Sequence, residues 1–311
     1  MKDAKKIIQD YSILIGFILL CIIASLASNV FLTPQNIINI LRQSSIIGVI
    51  SIGMTFVILA GGIDLSVGSS LALIGGISLI TQNSTNSVAL GIITSILLGI
   101  LIGIFNGAIS TYGKIPPFVV TLGSMAIARS LILYIANGGS ISGNLERFEA
   151  FANSYFFFIP TPVIIFVLIT LIGFFVLEQT PFGRYVYAIG GNERAARLSA
   201  INTSLMKVII YSICGLSVSI ASLIETSRLN SISASSSGVS YELDAIAAVI
   251  IGGTSLSGGK GKVIGTFIGA ILLATINNIM NLINVSPYLQ GLVKGIIIII
   301  VALLQKKTSN E

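Results

Sequence analysis

Apolar residues run along this chain in long blocks rather than alternating with polar ones. The blocks fall at 11–32, 43–60, 65–81, 88–110, 116–136, 162–178, 206–225, 243–253, 263–282 and 288–304. A hydrocarbon core about 30 Å thick takes roughly 20 apolar residues in a helix, so most blocks predict a membrane-crossing helix. About ten such helices make an all-α polytopic membrane protein, one transmembrane unit over 1–311. Two places are weak. Residues 243–253 are too short to cross alone, and Gly61 and Gly62 interrupt the passage from the second block to the third. Short, glycine-broken segments mark irregular backbone enclosed by protein, so eight spans with two re-entrant segments is the alternative topology. The similar runs Val57–Gly61 and Val249–Gly253 hint at an internal duplication.

Composition agrees with this class. Of 311 residues 54% are apolar and 9% charged, with a mean hydropathy of +0.99, whereas a soluble domain carries about a quarter charged residues. The cations sit between blocks. With the N-terminus inside, Lys2, Lys5, Lys6, Lys114, Arg184, Arg194, Arg197, Lys207, Lys260, Lys262, Lys306 and Lys307 are cytoplasmic. Arg42, Arg147 and Arg228 are then outside, and Arg129 and Lys294 fall within spans. This inside-positive bias puts both termini in the cytoplasm. It also accounts for the net charge of +6 without nucleic acid. Ser25-Leu26-Ala27 could pass as a signal-peptidase site; the apolar run continues to Leu32 and more spans follow, so a retained first helix is expected. Two extramembranous stretches are sizeable, an outer one at about 137–161 and an inner one at about 179–206.

The chain contains no His, which excludes His-based zinc sites and Ser-His or Cys-His nucleophile pairs. Cys21 and Cys214 lie in apolar runs and read as small apolar fillers. Gly99, Gly103 and Gly107, and Gly265 and Gly269, recur every fourth position; small residues so spaced let helix backbones approach in lipid. Gly253 to Lys260 resembles a phosphate loop, but Gly259 intervenes before Lys260 and Gly261 follows it. A phosphate loop needs Gly-Lys followed by Ser or Thr. The segment reads as a tight cytoplasmic turn, and no catalytic, metal or cofactor site is expected in the chain.

Asp64, in Gly61-Gly62-Ile63-Asp64-Leu65-Ser66, is the sharpest single residue. A carboxylate inside a span is costly and by default functional, so Asp64, with Ser66, Thr254 and Ser255, is a candidate for the translocation path or its gate. The competing reading sets Asp64 at the cytoplasmic mouth, its oxygen capping free amides of the next helix. Glu225, Arg228, Glu242 and Asp244 make a thin rim outside, either solvated loop charges or contacts for a docking protein. Arg129 and Lys294 are expected to snorkel or to pair with a carboxylate or carbonyl. In the inner stretch Gly190-Gly191 is a break, Asn192 a cap and Glu193 to Ile201 a short helix. Leu198 and Ile201 are expected to share its apolar face, as in a helix offered to a partner's groove or an ordinary connecting loop.

Three runs carry a family resemblance. They are Gly53-Met54-Thr55 through Gly61-Gly62-Ile63-Asp64-Leu65-Ser66-Val67-Gly68; Gly183-Arg184-Tyr185 with Ala188 to Glu193 and Ala196 to Ser199; and Tyr241 to Val249 with Gly252 to Leu256 and Gly258 to Gly261. Together they resemble the permeases of ribose-type ATP-binding-cassette importers. The resemblance implies the ten-helix fold of the vitamin B12-importer type (type II) in a bacterial plasma (inner) membrane. It implies a second copy of the chain, a separate ATPase subunit with tandem cassettes that binds ATP and magnesium, and an extracytoplasmic sugar-binding protein. It makes Asn192, Glu193, Arg194, Ala195, Ala196, Arg197, Leu198 and Ile201 the coupling helix on the ATPase. Ala200 stands where the family usually has Gly, which weakens the expectation of a sharp helix end. Ribose leads as substrate, with xylose, galactose, a furanosyl signalling molecule or nucleosides as alternatives. An ion-gradient-driven transporter is the rival class; it needs intramembrane acid relays, for which only Asp64 is a candidate.

Overall fold

The computed structural model describes residues 12–309. Lys2, Lys5 and Lys6, the two chain ends and the side chains of Lys306 and Lys307 lie outside what is described. Helices α1 (Ser12–Ala27), α2 (Pro34–Leu59), α3 (Val67–Thr85), α4 (Val88–Tyr112) and α5 (Pro117–Ile135) come first. Strand β1 (Ser140–Ser142), helix α6 (Glu146–Asn153) and the strands β2 (Tyr155–Phe156) and β3 (Ile159–Pro160) fill the expected outer stretch. Then follow α7 (Thr161–Gln179), α8 (Pro181–Leu198), α9 (Thr203–Leu229), strand β4 (Ser231–Ser233), α10 (Tyr241–Ile251), α11 (Val263–Leu282) and α12 (Pro287–Ser309).

Each predicted block coincides with a helix, and among the described residues six of them, α2, α4, α5, α7, α9 and α11, are long and apolar enough to cross a membrane. Local chemistry sets their ends. Thr33, Ser87 and Asn202 accept hydrogen bonds from the amides of Asn36, Leu90 and Leu205, satisfying donors that a helix start leaves free. Asn86 and Asn230 close α3 and α9 in the left-handed conformation that Asn tolerates.

The core is built on α2, α3, α9 and α10, whose facing side chains are almost wholly buried. Helices α4 and α7 turn Leu97, Leu101 and Phe105, and Leu168, Leu171 and Phe175, outward, as expected for lipid-facing ridges. The glycine ladder of α4 packs within the chain: a Cβ on Gly99 would sit 2.4 Å from the Gly215 carbonyl, and one on Gly103 2.3 Å from that of Tyr211. Gly269 meets the Ala248 carbonyl of α10 in the same way.

One end of the bundle carries Lys114, Arg184, Arg194, Arg197, Lys207, Lys260 and Lys262 and is its basic end. At the other, β4 pairs antiparallel with β1, Ile232 opposite Ile141. From β4 the chain then runs into the bundle until the backbone of Gly238 touches that of Gly68. Helix α10 therefore starts inside the bundle, which explains its 11 residues. Irregular backbone at this depth needs internal partners, and Arg129 supplies them: its Nη1 donates to the Ala234 carbonyl (2.7 Å) and its Nη2 to that of Ser237 (2.9 Å).

Candidate functional site

At the basic end α8 runs through most of the inner stretch, and within it Asn192 leaves helical geometry (φ −162°, ψ 98°) and kinks the helix. Its Oδ1 accepts from the Ala195 amide at 3.0 Å and so restarts the helix as a cap. Glu193 is held by Lys207 Nζ (2.6 Å) and by Arg197 (3.2 Å). Burial pushes the Glu193 carboxyl up, but Lys207 and then Arg197 outweigh it and hold it below the usual carboxylate range. Ala196 is buried, while Arg194, Ala195 and Leu198 face outward, Leu198 being 83% exposed. Ile201 departs from the expected shared face: it packs against the core. The reason is the helix end. The amide of Ala200 donates to the Arg197 carbonyl and that of Ile201 to the Ala196 carbonyl, a Schellman motif that turns Ile201 inward. Ala200 takes φ +63° in it, so the end is sharp despite the missing glycine.

The kink is fastened to two other backbones. Gly190 lies against Leu59 and Gly259, where a Cβ would sit 1.7 Å from the Leu59 carbonyl oxygen. That oxygen accepts from the Gly259 amide at 2.9 Å, and Tyr187 Oη donates to the Gly261 carbonyl at 2.8 Å. The phosphate-loop look-alike is thus a turn, with Gly253, Gly258 and Gly259 all at positive φ. Thr254 is buried beneath it, and Ser255 Oγ accepts from the Ser257 amide within it. The runs Val57–Gly61 and Val249–Gly253 also end alike. Gly61 and Gly62 donate to the carbonyls of Ile58 and Val57, and Gly253 and Thr254 donate to those of Ile250 and Val249.

Asp64 accepts at Oδ1 from the Ser66 amide (2.9 Å) and hydroxyl (2.6 Å). These bonds close a turn at Ser66, one residue before α3, and do not reach the amides of the helix itself, as the capping reading expected. Asp64 is 3% exposed, so the carboxylate is held within the bundle. Asn106 Nδ2 donates to Ser66 Oγ (2.9 Å) and points to Asp64 Oδ2 (3.5 Å), and Ser124 Oγ donates to Asn106 Oδ1 (2.5 Å). Beside this network a cavity of about 530 Å³ opens at the basic end. Gly61, Gly62, Lys114, Glu193, Arg197 and Lys207 are among its walls, so one cavity joins the turn before Asp64 to the kinked segment.

The far-end rim is corrected too. Glu225 and Asp244 are 3% and 5% exposed and Arg228 and Glu242 half-buried: the inward run carries Glu242 and Asp244 into the bundle, and its Ser237 and Tyr241 lie against Glu225 on α9. Glu225 and Asp244 are therefore not solvated loop charges. Lys294 Nζ lies 2.9 Å from both carboxylate oxygens of Asp244. Arg228, Asp244 and Lys294 line a chamber of about 310 Å³ together with Gln43, Asn277, Asn281 and Gln290.

Residues 36–302 match the family described as branched-chain amino acid transport system / permease component. The chain belongs to this permease family. Ribose import permease protein RbsC of Bacillus subtilis is 47% identical over 97% of this chain and 94% of its own length. That of Escherichia coli K12 is 40% identical with the same coverage. The xylose transport system permease protein XylH of Escherichia coli K12 is 34% identical over 90% of the chain and 87% of its own length. No solved structure matches.

The permease is a multi-pass protein of the bacterial inner membrane and serves as the transport component of its system. Of the residues singled out in the sequence, Glu193 and Arg197 share the basic-end cavity with the turn before Asp64, and Arg228 and Asp244 share the chamber. Thr254 and Ser255 belong to the glycine turn. Asn106, Ser124, Asn277 and Asn281 were not singled out; the signal they carried was a carboxamide or hydroxyl within an apolar helix.

Proposed function

We propose that the chain is the membrane-spanning permease of an ATP-binding-cassette importer that brings a monosaccharide, in first place ribose, into the cell. The observation that carries this is the 40–47% identity, across nearly the whole chain, to ribose import permeases of three bacteria. The lower identity to a xylose permease makes xylose the second substrate. About ten helices cross the membrane in the type II arrangement, with both termini cytoplasmic, and two copies assemble around the path. The outward face of Arg194, Ala195 and Leu198 rests on a separate ATPase subunit with tandem cassettes, which holds the ATP and magnesium. An extracytoplasmic sugar-binding protein delivers the ligand at the far end, where Arg228 and Glu242 are the half-exposed members of the proposed docking group.

In the mechanism, cassette closure on ATP moves the kinked segment. The junction of Gly190, Leu59 and Gly259 passes that movement to the end of α2 and to the turn before Asp64, and the path alternates between outward and inward access. Support for this route is the backbone contact itself, which leaves no side chain to absorb the displacement. The test is ribose uptake in cells lacking their own ribose permease, together with ATPase co-purification and its stimulation by sugar-loaded binding protein. Uptake that depends on the chain and on ATP is expected. Uptake that persists without ATP and collapses with the proton gradient would replace the reading with an ion-coupled transporter.

A further inference from the structure

Resting on the reading of the chain as a monosaccharide permease, we propose that the chamber between α2, α9, α10, α11 and α12 is a sugar-binding site complete within one copy of the chain. Its volume of about 310 Å³ lies at the lower end of small-molecule pockets, which suits one sugar ring. Its place is also apt. Helix α10 begins inside the bundle beside it, and discontinuous helices are where membrane transporters build solute sites.

The lining has the chemistry of polyol recognition. A sugar hydroxyl donates and accepts at once, and so does a carboxamide; Gln43, Asn277, Asn281 and Gln290 present four of them from three helices. Gln290 Nε2 is already committed to Asn281 Oδ1 (2.8 Å) and to the Val285 carbonyl (3.1 Å), which fixes those two amides in place. Asn277 Oδ1 is buried and accepts from no group among the described residues. Buried acceptors are nearly always paired, and a hydroxyl in the chamber would pair this one. Ile46, Ile47 and Leu273 supply the apolar wall that a ring's C–H face requires.

Charge decides the ligand class. The Asp244 carboxylate is occupied by Lys294 at 2.9 Å, and Arg228 lies within the field of the buried Glu225. Asp244 is the one carboxylate among the described lining residues, so none of these is left unpaired for an ammonium group. A neutral polyol fits these walls; a branched-chain amino acid, with both charges to bury, does not.

The test uses the full chain in lipid nanodiscs, with saturation-transfer NMR on ribose, xylose and valine, and ribose uptake measured in parallel. Transfer to ribose and not to valine is expected, falling at least five-fold in Asn277→Leu. Gln290→Ala gives a second, milder variant with the same expectation, and Asn83→Ala at the far-end surface keeps full transfer. Transfer to ribose that neither variant reduces, or transfer to valine alone, overturns the site. Chain-dependent uptake without transfer sinks the site and leaves the function. Site-dependent transfer without any uptake sinks the function and leaves the site.

Discussion

Lys294 of α12 and Asp244 of α10 form a buried ion pair, the ammonium 2.9 Å from the carboxylate and the two side chains 17% and 6% exposed. The pair joins the last helix to the short helix that starts inside the bundle, so it fixes two elements that the connecting chain leaves free to part. Removing one member of a buried pair strands the other charge and costs about 3–5 kcal/mol. Lys294→Met is expected to lower the thermal midpoint of the detergent-solubilised protein sharply. Replacing both charges, Asp244→Leu with Lys294→Met, is expected to restore most of the loss, because apolar replacement of a buried pair is often neutral. A double variant no more stable than the single one would show that the charges do more than compensate each other.

Asp64 and Asn106 lend themselves to an exchange. In Asp64→Asn the Oδ1 that receives the Ser66 amide is kept, so the turn before α3 survives, but the new Nδ2 faces Asn106 Nδ2, donor against donor. A donor left unsatisfied when buried costs about 1–3 kcal/mol. Adding Asn106→Asp turns that contact back into donor to acceptor, keeps an Oδ1 for Ser124, and lets the Ser66 hydroxyl, no longer an acceptor for Asn106 Nδ2, turn from residue 64 to donate to the new carboxylate. Transport is expected to fall several-fold in Asp64→Asn and to recover in the exchanged pair. A charge required at position 64 itself would leave the pair as impaired as the single variant.

The apolar blocks made the helices legible because a bilayer demands them, and Asn192 was legible because a cap acts within three residues. What escaped the sequence depends on distant chain. Arg129 and Lys294 find partners on segments 105 and 50 residues away. Glu225 and Asp244 looked like a solvated rim because nothing in their neighbourhood announces that the chain turns inward after β4. Leu198 and Ile201 looked like one face at helical spacing, yet the Schellman end falls between them and sends one out and the other in. The chamber was invisible for the same reason: its carboxamides come from α2, α11 and α12, and each alone is a single polar residue in an apolar run.

Neighbouring glycines at the kink separate packing from flexibility. A Cβ at Gly190 would lie 1.7 Å from the Leu59 oxygen and 2.5 Å from the Gly259 nitrogen, whereas one at Gly191 meets nothing within 4 Å. Both variants remove the same backbone freedom. Gly190→Ala is expected to abolish sugar uptake at normal membrane levels, and Gly191→Ala to leave it within about two-fold of wild type, since an exposed Gly-to-Ala change at an allowed conformation shifts stability by only about 1 kcal/mol. Equal impairment of the two would mean that hinge freedom, and not the backbone junction, is what the kink needs.

Glu193 gives the kinked segment a pH dependence of defined sign. Lys207 and Arg197 hold its carboxyl below the usual range against the opposing effect of burial. A depressed folded-state value contributes stability that is fully present above the unfolded value and is lost as pH falls through the folded one. Amide-exchange protection of residues 193–201, after correction for intrinsic rates, is therefore expected to hold at neutral pH and weaken in acid below the ordinary Glu range. Glu193→Gln should lose the dependence. Protection that weakens equally in that variant would assign the acid step to another group.

Ala200 sits at φ +63° in the turn that ends this segment. The left-handed conformation costs an L-residue about 1–2 kcal/mol, and glycine avoids it at an entropic cost of about 0.5–1 kcal/mol. Ala200→Gly is therefore expected to stabilise the helix end by roughly 0.5–1 kcal/mol. Ala200→Val, β-branched at positive φ, should destabilise it by more. The motif joins Ala196 and Arg197 to Ile201 and Ala200, so the change is read in the exchange rates of the Ala200 and Ile201 amides: slower in the glycine variant, faster in the valine one. Unchanged rates in both would mean that the inward anchor of Ile201, and not the left-handed turn, sets how firmly the segment closes.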